Sequence, residues 1–290
     1  MEEKNFQRLL RQSFPASNRE DWERVAASEL NGNEPFKHLA WKDDDDIELL
    51  PYYDAGNAST FSYLDKFILP TEKDPFSASR TWFNLPGEFV TEELSANASA
   101  LDHLANGADG IHFHIHKDTD LPELLTGIMP QYCLLSFQAP FTTQILQSFL
   151  SCFNEHHKKD FLNGILFWES APVMGSMPGE IFEFPGLRPL GLLVPRSTPV
   201  REIHDALVRG VRVLESASED RNIEDVVGKI GFSFELDKNF LSAISKVKAF
   251  RMLWFQVVKA FGVESYDPSK TWIRGSSEKW ENPAFAPHSS

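Results

Sequence analysis

The chain has few cysteines, a deficit of basic charge and no long apolar run. Two cysteines, Cys133 and Cys152, occur in 290 residues; they are too few for a disulfide framework and are not spaced as a CxxC metal or redox pair. Lys and Arg total 28 against 42 Asp and Glu, a formal charge of −14. With no Lys/Arg-rich block, nucleic acid and anionic membrane are not expected as main partners. No stretch reaches the roughly 18 apolar residues that a bilayer span needs. The opening MEEKNFQRLLRQSF lacks the apolar segment of a secretory leader and mixes acids with bases, so a cytoplasmic location is expected. GxGxxG and GxxxxGK[ST] are both absent, which removes the main sign of a nucleotide-binding sheet. Asn57-Ala58-Ser59 and Asn97-Ala98-Ser99 read as sequons, but carry little weight without a leader.

Apolar residues make up 42% of the chain and include 24 Phe and 7 Trp, enough for a large core. A helix is expected within 4–30, with Trp22, Val25, Ala26 and Leu30 on one side and Asn31-Gly32-Asn33 ending it. Asp43 to Asp46 read as a solvated turn, because adjacent carboxylates seldom converge on one ion. Residues 1–85 are expected to form an extended N-terminal arm and linker. From there, apolar strands alternate with amphipathic helices. The strands are expected at Ile111–His116, Cys133–Gln138, Gly164–Trp168, Leu190–Val194, Ile230–Leu236 and Thr271–Arg274. The helices are expected after Thr91, around Ile145, Phe149 and Phe153, after Thr198-Pro199 with Ile203, Leu207, Val211 and Leu214 inward, and from Phe240 to Gly262 with Phe240, Ile244, Val247, Arg251, Trp254 and Val258 in one stripe. Residues 169–189, with four prolines, break the pattern. Nearly continuous apolar strands between helices indicate a parallel sheet covered on both faces. The expected fold is α/β, a TIM-type (β/α)8 barrel over 86–290, incomplete at six strands because a full barrel takes roughly 250 residues.

Several segments resemble the methylmalonyl-CoA mutase family. Lys246 to Trp254 (KVKAFRMLW) is similar to its K-x-R-A-x-R-x-L-W helix with one Arg-to-Lys change, and FSFELDKNF (232–240) to the strand before it. REIHDALVRGVRVLE (201–215) resembles its Glu-x-x-x-Ala-Leu-x-x-Gly helix. Trp22 through Pro51-Tyr52-Tyr53, and Gly107 to Ile111, are similar to its entry segment and its approach to an early strand. The resemblance implies a barrel threaded along its axis by the coenzyme A arm of the substrate, and a separate domain that carries adenosylcobalamin. It also implies radical interconversion of succinyl-CoA and methylmalonyl-CoA, the cofactor supplying the homolysis. Three motifs of the active subunits are missing. Gly191 to Pro199 (GLLVPRSTP) stands where they carry G-Y-H-M-Q-E-x-G, no R-G-P-Y-P-T-M-Y run lies within 55–85, and D-x-H-x-x-G occurs nowhere. The pattern is like that of the small, non-cobalamin-binding subunit, which implies a heterodimer with a large cobalamin-binding subunit and no catalytic residues on this chain.

The residues themselves leave two other readings open. His112, His114 and His116 project to one face of a strand, and a His-x-His pair at a barrel strand end suits a metal-dependent hydrolase if other strands add ligands. Arg196, Ser197 and Thr198 at a helix start suit an anion such as the phosphates of a coenzyme A ester, as in a catalytically dead CoA-binding module. Glu169 and Glu235 near strand ends form a possible carboxylate pair, but their spacing favours a structural role, and His156-His157 read as helix-end residues.

Overall fold

A computed structural model describes residues 18–42, 46–54, 82–154, 160–217, 221–236 and 239–277. The chain divides into two compact units, Met1–Leu64 and Asp65–Ser290.

In the first unit, Asn18 caps α1 (Arg19–Glu29) by accepting the Asp21 amide, the ordinary N-cap arrangement. Asn31 and Gly32 then take positive φ of 55° and 88°, the left-handed region open to glycine, which lacks a Cβ, and tolerated by asparagine. The short α2 (Pro35–His38) follows, and β1 (Trp41–Lys42) pairs antiparallel with β2 (Glu48–Leu49). Trp22 holds the unit together, edge-on to Phe36 at 5.4 Å and stacked on Tyr52 at 5.2 Å. The expected helix therefore exists from Arg19; its residues 4–17 lie outside the described set. Of the four aspartates only Asp46 is described, ion-paired at 2.7 Å with Lys42.

The second unit is built on seven parallel strands. These are β3 (Gly87–Phe89), β4 (Gly110–His114), β5 (Leu134–Ala139), β6 (Gly164–Trp168), β7 (Leu187–Leu193), β8 (Ile230–Leu236) and β9 (Trp272–Ser277). They are hydrogen-bonded in chain order and curl into a half-barrel, the incomplete TIM-type architecture expected. The strand count is corrected from six to seven. β3 escaped notice because three residues after Pro86 show no period. The crossovers are α3 (Glu93–Ala105), the single turn α4 (Leu121–Leu124), α5 (Thr143–Asn154), two 3₁₀ turns between β6 and β7, α6 (Pro199–Ala217) followed by α7 (Ile223–Val227), and α8 (Phe240–Ala260). Glu92, not Thr91, caps α3 by accepting the Ser95 amide. Asn97 is buried on α3, donating to Leu124 O and Thr126 O at 2.8 Å each, so that sequon is closed to modification.

Two helix faces differ from the expected stripes. The most buried residues of α6 are Glu202, Ala206, Gly210, Val213, Leu214 and Ala217, a face centred on small residues, with Ile203 and Leu207 half-buried against the core beside it. The reason is close packing on α8: a Cβ on Gly210 would lie 2.5 Å from the Trp254 ring. On α8 the buried set is Ala243, Lys246, Phe250, Trp254, Phe255 and Val258, whereas Phe240 is 72% exposed. Phe232 on β8 meets Phe250 and Trp254 edge-on at 4.6 and 4.9 Å. Each such fully buried ring contributes about 2–3 kcal/mol, which is why the helix turns them inward and leaves its first turn in water.

Candidate functional site

Parallel register puts partnered residues on the same side of a sheet. One row therefore crosses all seven strands: Phe89, His114, Gln138, Phe167, Gly191, Gly231 and Trp272. Toward the strand starts runs Gly87, His112, Ser136, Ile165 and Arg188; toward their ends, Leu193, Ser233 and Arg274. These rows form the inner face of the curl. The intervening residues, among them Phe113, Phe137, Leu192, Phe232 and Phe234, belong to the main hydrophobic cluster and face the helices.

The inner face receives two of the three histidines. His112 is fully buried, with Nδ1 2.7 Å from Ser136 Oγ and its ring edge-on to His114 at 4.7 Å. Its Nε2 is buried without a hydrogen-bond partner. Burial, then the charge of Arg274 and the ring of His114, push its pKa down to about 2, with the Gln138 side chain opposing. His112 is thus held as the neutral imidazole. His114 stacks on Phe89 at 4.1 Å. His116 falls beyond β4 and is exposed, its backbone amide donating to Thr119 Oγ1 at 3.0 Å. Among the described residues no group of three His, Cys, Asp or Glu is placed to hold a metal ion.

Arg274 donates to Ser233 Oγ at 2.9 Å, and Arg188 lies over the Trp272 ring at 4.0 Å. Burial depresses both guanidinium pKa values, that of Arg188 to about 10. The cost of desolvating these cations is reduced here by ring and hydroxyl contacts.

At the C-terminal ends of β7 and β8 the geometry is set by a pair the sequence reading missed. Glu202 and Lys246, 44 residues apart, form an ion pair at 2.5 Å with side chains 4% and 3% exposed. Glu202 also accepts the Ser197 amide at 3.0 Å, and Lys246 donates to Glu235 O at 2.7 Å. One carboxylate thereby ties the β7–α6 loop to α8 and to the end of β8. The anion that the start of α6 attracts is supplied by the chain itself. Thr198 Oγ1 accepts the Arg201 amide at 3.4 Å, and Arg196 lies 3.9 Å from Glu235 with both side chains about half exposed. Glu235 thus faces Arg196 and acts on Arg274, while Glu169 is exposed at the end of β6. His156, His157 and Asp237-Lys238 lie outside the described residues. The signal for the pair was a polar residue inside each small or apolar face: Glu202 four before Ala206, and Lys246 four before Phe250.

At the opposite end of β7 and β8 lies a cleft of about 630 Å³, lined by Phe182, Glu183, Arg221, Asn222, Asp225 and Lys229, among others. Lys229 spends its ammonium on the carbonyls of Phe184, Pro185 and Leu187, and Arg221 lies over the Phe182 ring at 4.0 Å. These contacts brace the loops that enter the two strands, the structural role usual at this end of such sheets.

The segment from the β7–α6 loop through β9 is also where the chain matches a known family. The profile of the family described as Methylmalonyl-CoA mutase matches residues 196–283. Over 311 aligned positions the chain is 23% identical to the methylmalonyl-CoA mutase small subunit of Porphyromonas gingivalis (strain ATCC BAA-308 / W83), covering 95% of this chain and 49% of that protein. Both matches make the chain similar to the methylmalonyl-CoA mutase family. It spans about half the length of the relative it matches. The matched segment contains α6, β8 and α8, and therefore Gly210 against Trp254 and Glu202 against Lys246. The two helices whose sequences resemble the family's are the two that interlock.

Proposed function

We propose that this chain is a small-subunit-like component of an adenosylcobalamin-dependent methylmalonyl-CoA mutase, with residues 1–85 as its arm and 86–290 as its part of the barrel. In this reading it is cytoplasmic and non-catalytic. It serves the folding and assembly of a heterodimer whose large subunit binds cobalamin and interconverts succinyl-CoA and methylmalonyl-CoA. The observation that carries the reading is the end of β7. Gly191 to Pro199 holds neither Tyr nor His, and the loop it enters is tied down by Glu202 and Lys246 rather than left to meet a substrate.

Four of the described histidines are engaged within the chain. His112 and His114 are packed against Ser136, each other and Phe89. On the helices His103 faces Glu88 at 3.0 Å and His204 faces Asp205 at 2.9 Å. In this reading the cofactor is held by the partner. No helix is long and apolar enough to cross a membrane among the described residues.

The test is co-expression of the chain with a cobalamin-binding large mutase subunit, ideally the one encoded beside it. Copurification in a defined ratio, and mutase activity that falls when this chain is omitted, are expected. A large subunit that is fully active alone and leaves this chain behind on the column would refute the assignment.

A further inference from the structure

Family resemblance implies a coenzyme A arm threaded along the barrel axis, and the inner face of this sheet does not fit one. Ile165 and Phe167 on β6 are 2% and 1% exposed, yet neither belongs to the cluster that packs under the helices. They are buried on the inner side. Ile165 reaches across β7 to β8, for a Cβ on Gly231 would lie 2.2 Å from Ile165 Cδ1 and 3.4 Å from Trp272 Cβ. Strands two apart in a flat sheet are separated by roughly 9–10 Å, beyond the reach of one isoleucine. The sheet is folded sharply at Gly191 and Gly231, which are register partners in one row. A Cβ on Gly191 would lie 2.3 Å from Leu166 O and 2.8 Å from Phe167 Cα, so β7 presses against the β6 backbone there, and Ile165 lies over Gly231 beside Trp272. Arg188 caps Trp272 at 4.0 Å. Beside them His112 and Ser136 are 0% and 1% exposed.

We infer that the axis of this half-barrel is packed shut, with Gly231 admitting Ile165, Gly191 admitting the β6 backbone, and buried Ile165 and Phe167 as the residues that exclude an axial ligand. This inference does not rest on the proposed subunit role; a chain that failed to bind any large subunit would still have a closed inner face.

Two measurements on the 290-residue chain test it. In the first, Gly231→Ala, Ile165→Ala and their double variant are compared by thermal unfolding. Adding a methyl where Ile165 sits lowers Tm by about 3–8 °C. Removing the Ile165 side chain lowers it by a similar or larger amount. Combined, the two fit each other, so the double variant melts at least about 3 °C above the sum of the single effects. Strict additivity, or a Gly231→Ala variant melting with the wild type, overturns the inference.

In the second, coenzyme A and succinyl-CoA are titrated calorimetrically into the wild type and into Phe167→Trp, which adds bulk only at the inner face. No saturable heat at millimolar ligand, or binding unaffected by Phe167→Trp because it lies elsewhere, agrees with the closed axis. Wild-type binding that Phe167→Trp weakens tenfold or more shows an open axis and ends the inference.

Discussion

On the side of the sheet toward the helices, Phe113, Phe137, Phe232 and Phe234 meet one another and the rings of Phe149, Phe250 and Trp254 at 4.6 to 5.7 Å. On the other side the same strands carry His112, Ser136, Ser233, Arg188 and Arg274 between Ile165, Phe167 and two glycines. The first face is apolar and draws its stability chiefly from buried ring area. The second mixes cations, an unpaired imidazole nitrogen and close backbone approach, so it depends on fit. Buried apolar volume dominates the helix-facing core, with close fit at Gly210 and Trp254; the placement of polar groups dominates the inner layer.

That contrast can be broken or sharpened by substitution. The largest effect is expected from Trp254→Ala on the helix side, about 4 kcal/mol in urea unfolding, because the ring sits against Gly210 with nothing able to collapse into its place. A loss under 1 kcal/mol would mean that α6 and α8 do not depend on this contact. Lys246→Met should cost about 3 kcal/mol by leaving Glu202 charged and buried without its partner. Adding Glu202→Gln should return much of that loss, and a double variant no better than the single would show that the pair is not coupled.

His112 confers a pH dependence that the apolar face lacks. Its folded pKa is near 2 against 6.5 in the unfolded chain, so between these values the unfolded state binds the extra proton and stability falls as pH falls. The expected loss from this residue between pH 7 and pH 5 is about 2 kcal/mol. His112→Gln should flatten that limb of the stability curve, and an unchanged slope would show that the imidazole titrates normally. The smallest effect is expected from Phe240→Ser at the exposed start of α8, within about 0.5 kcal/mol. A drop of several kcal/mol would mean that this aromatic is covered in solution.

The alternation of strand and helix was readable because the strands are nearly continuous apolar runs and four of the connecting helices span at least 12 residues. Leu121–Leu124 and Gly87–Phe89 were not readable, being too short to show any period. The inward faces of α6 and α8 were read in part, Leu214, Trp254 and Val258 being buried as expected, because apolar periodicity favours large residues. The actual contact selects small ones, Ala206 and Gly210, so that Trp254 can enter. Glu202 and Lys246 looked like solvated helix charges; only the fold, which joins positions 44 apart, makes them a pair. His112 and His114 were correctly placed together on one strand face. Their surroundings of Ser136, Phe89 and Arg274 come from three other strands, which spacing along β4 does not reveal.

Each strand from β3 to β9 bonds only to its neighbours in the chain. Its pairings therefore close one crossover after another, and the entropic cost of each grows only slowly with crossover length. Each pairing nevertheless joins strands separated by a whole crossover, so the parallel sheet forms slowly, one strand–helix–strand unit after another. The heaviest interlock, α6 with α8 around β8, is the natural place for that growth to start. Substitutions there should slow folding, while those near β3 should chiefly speed unfolding.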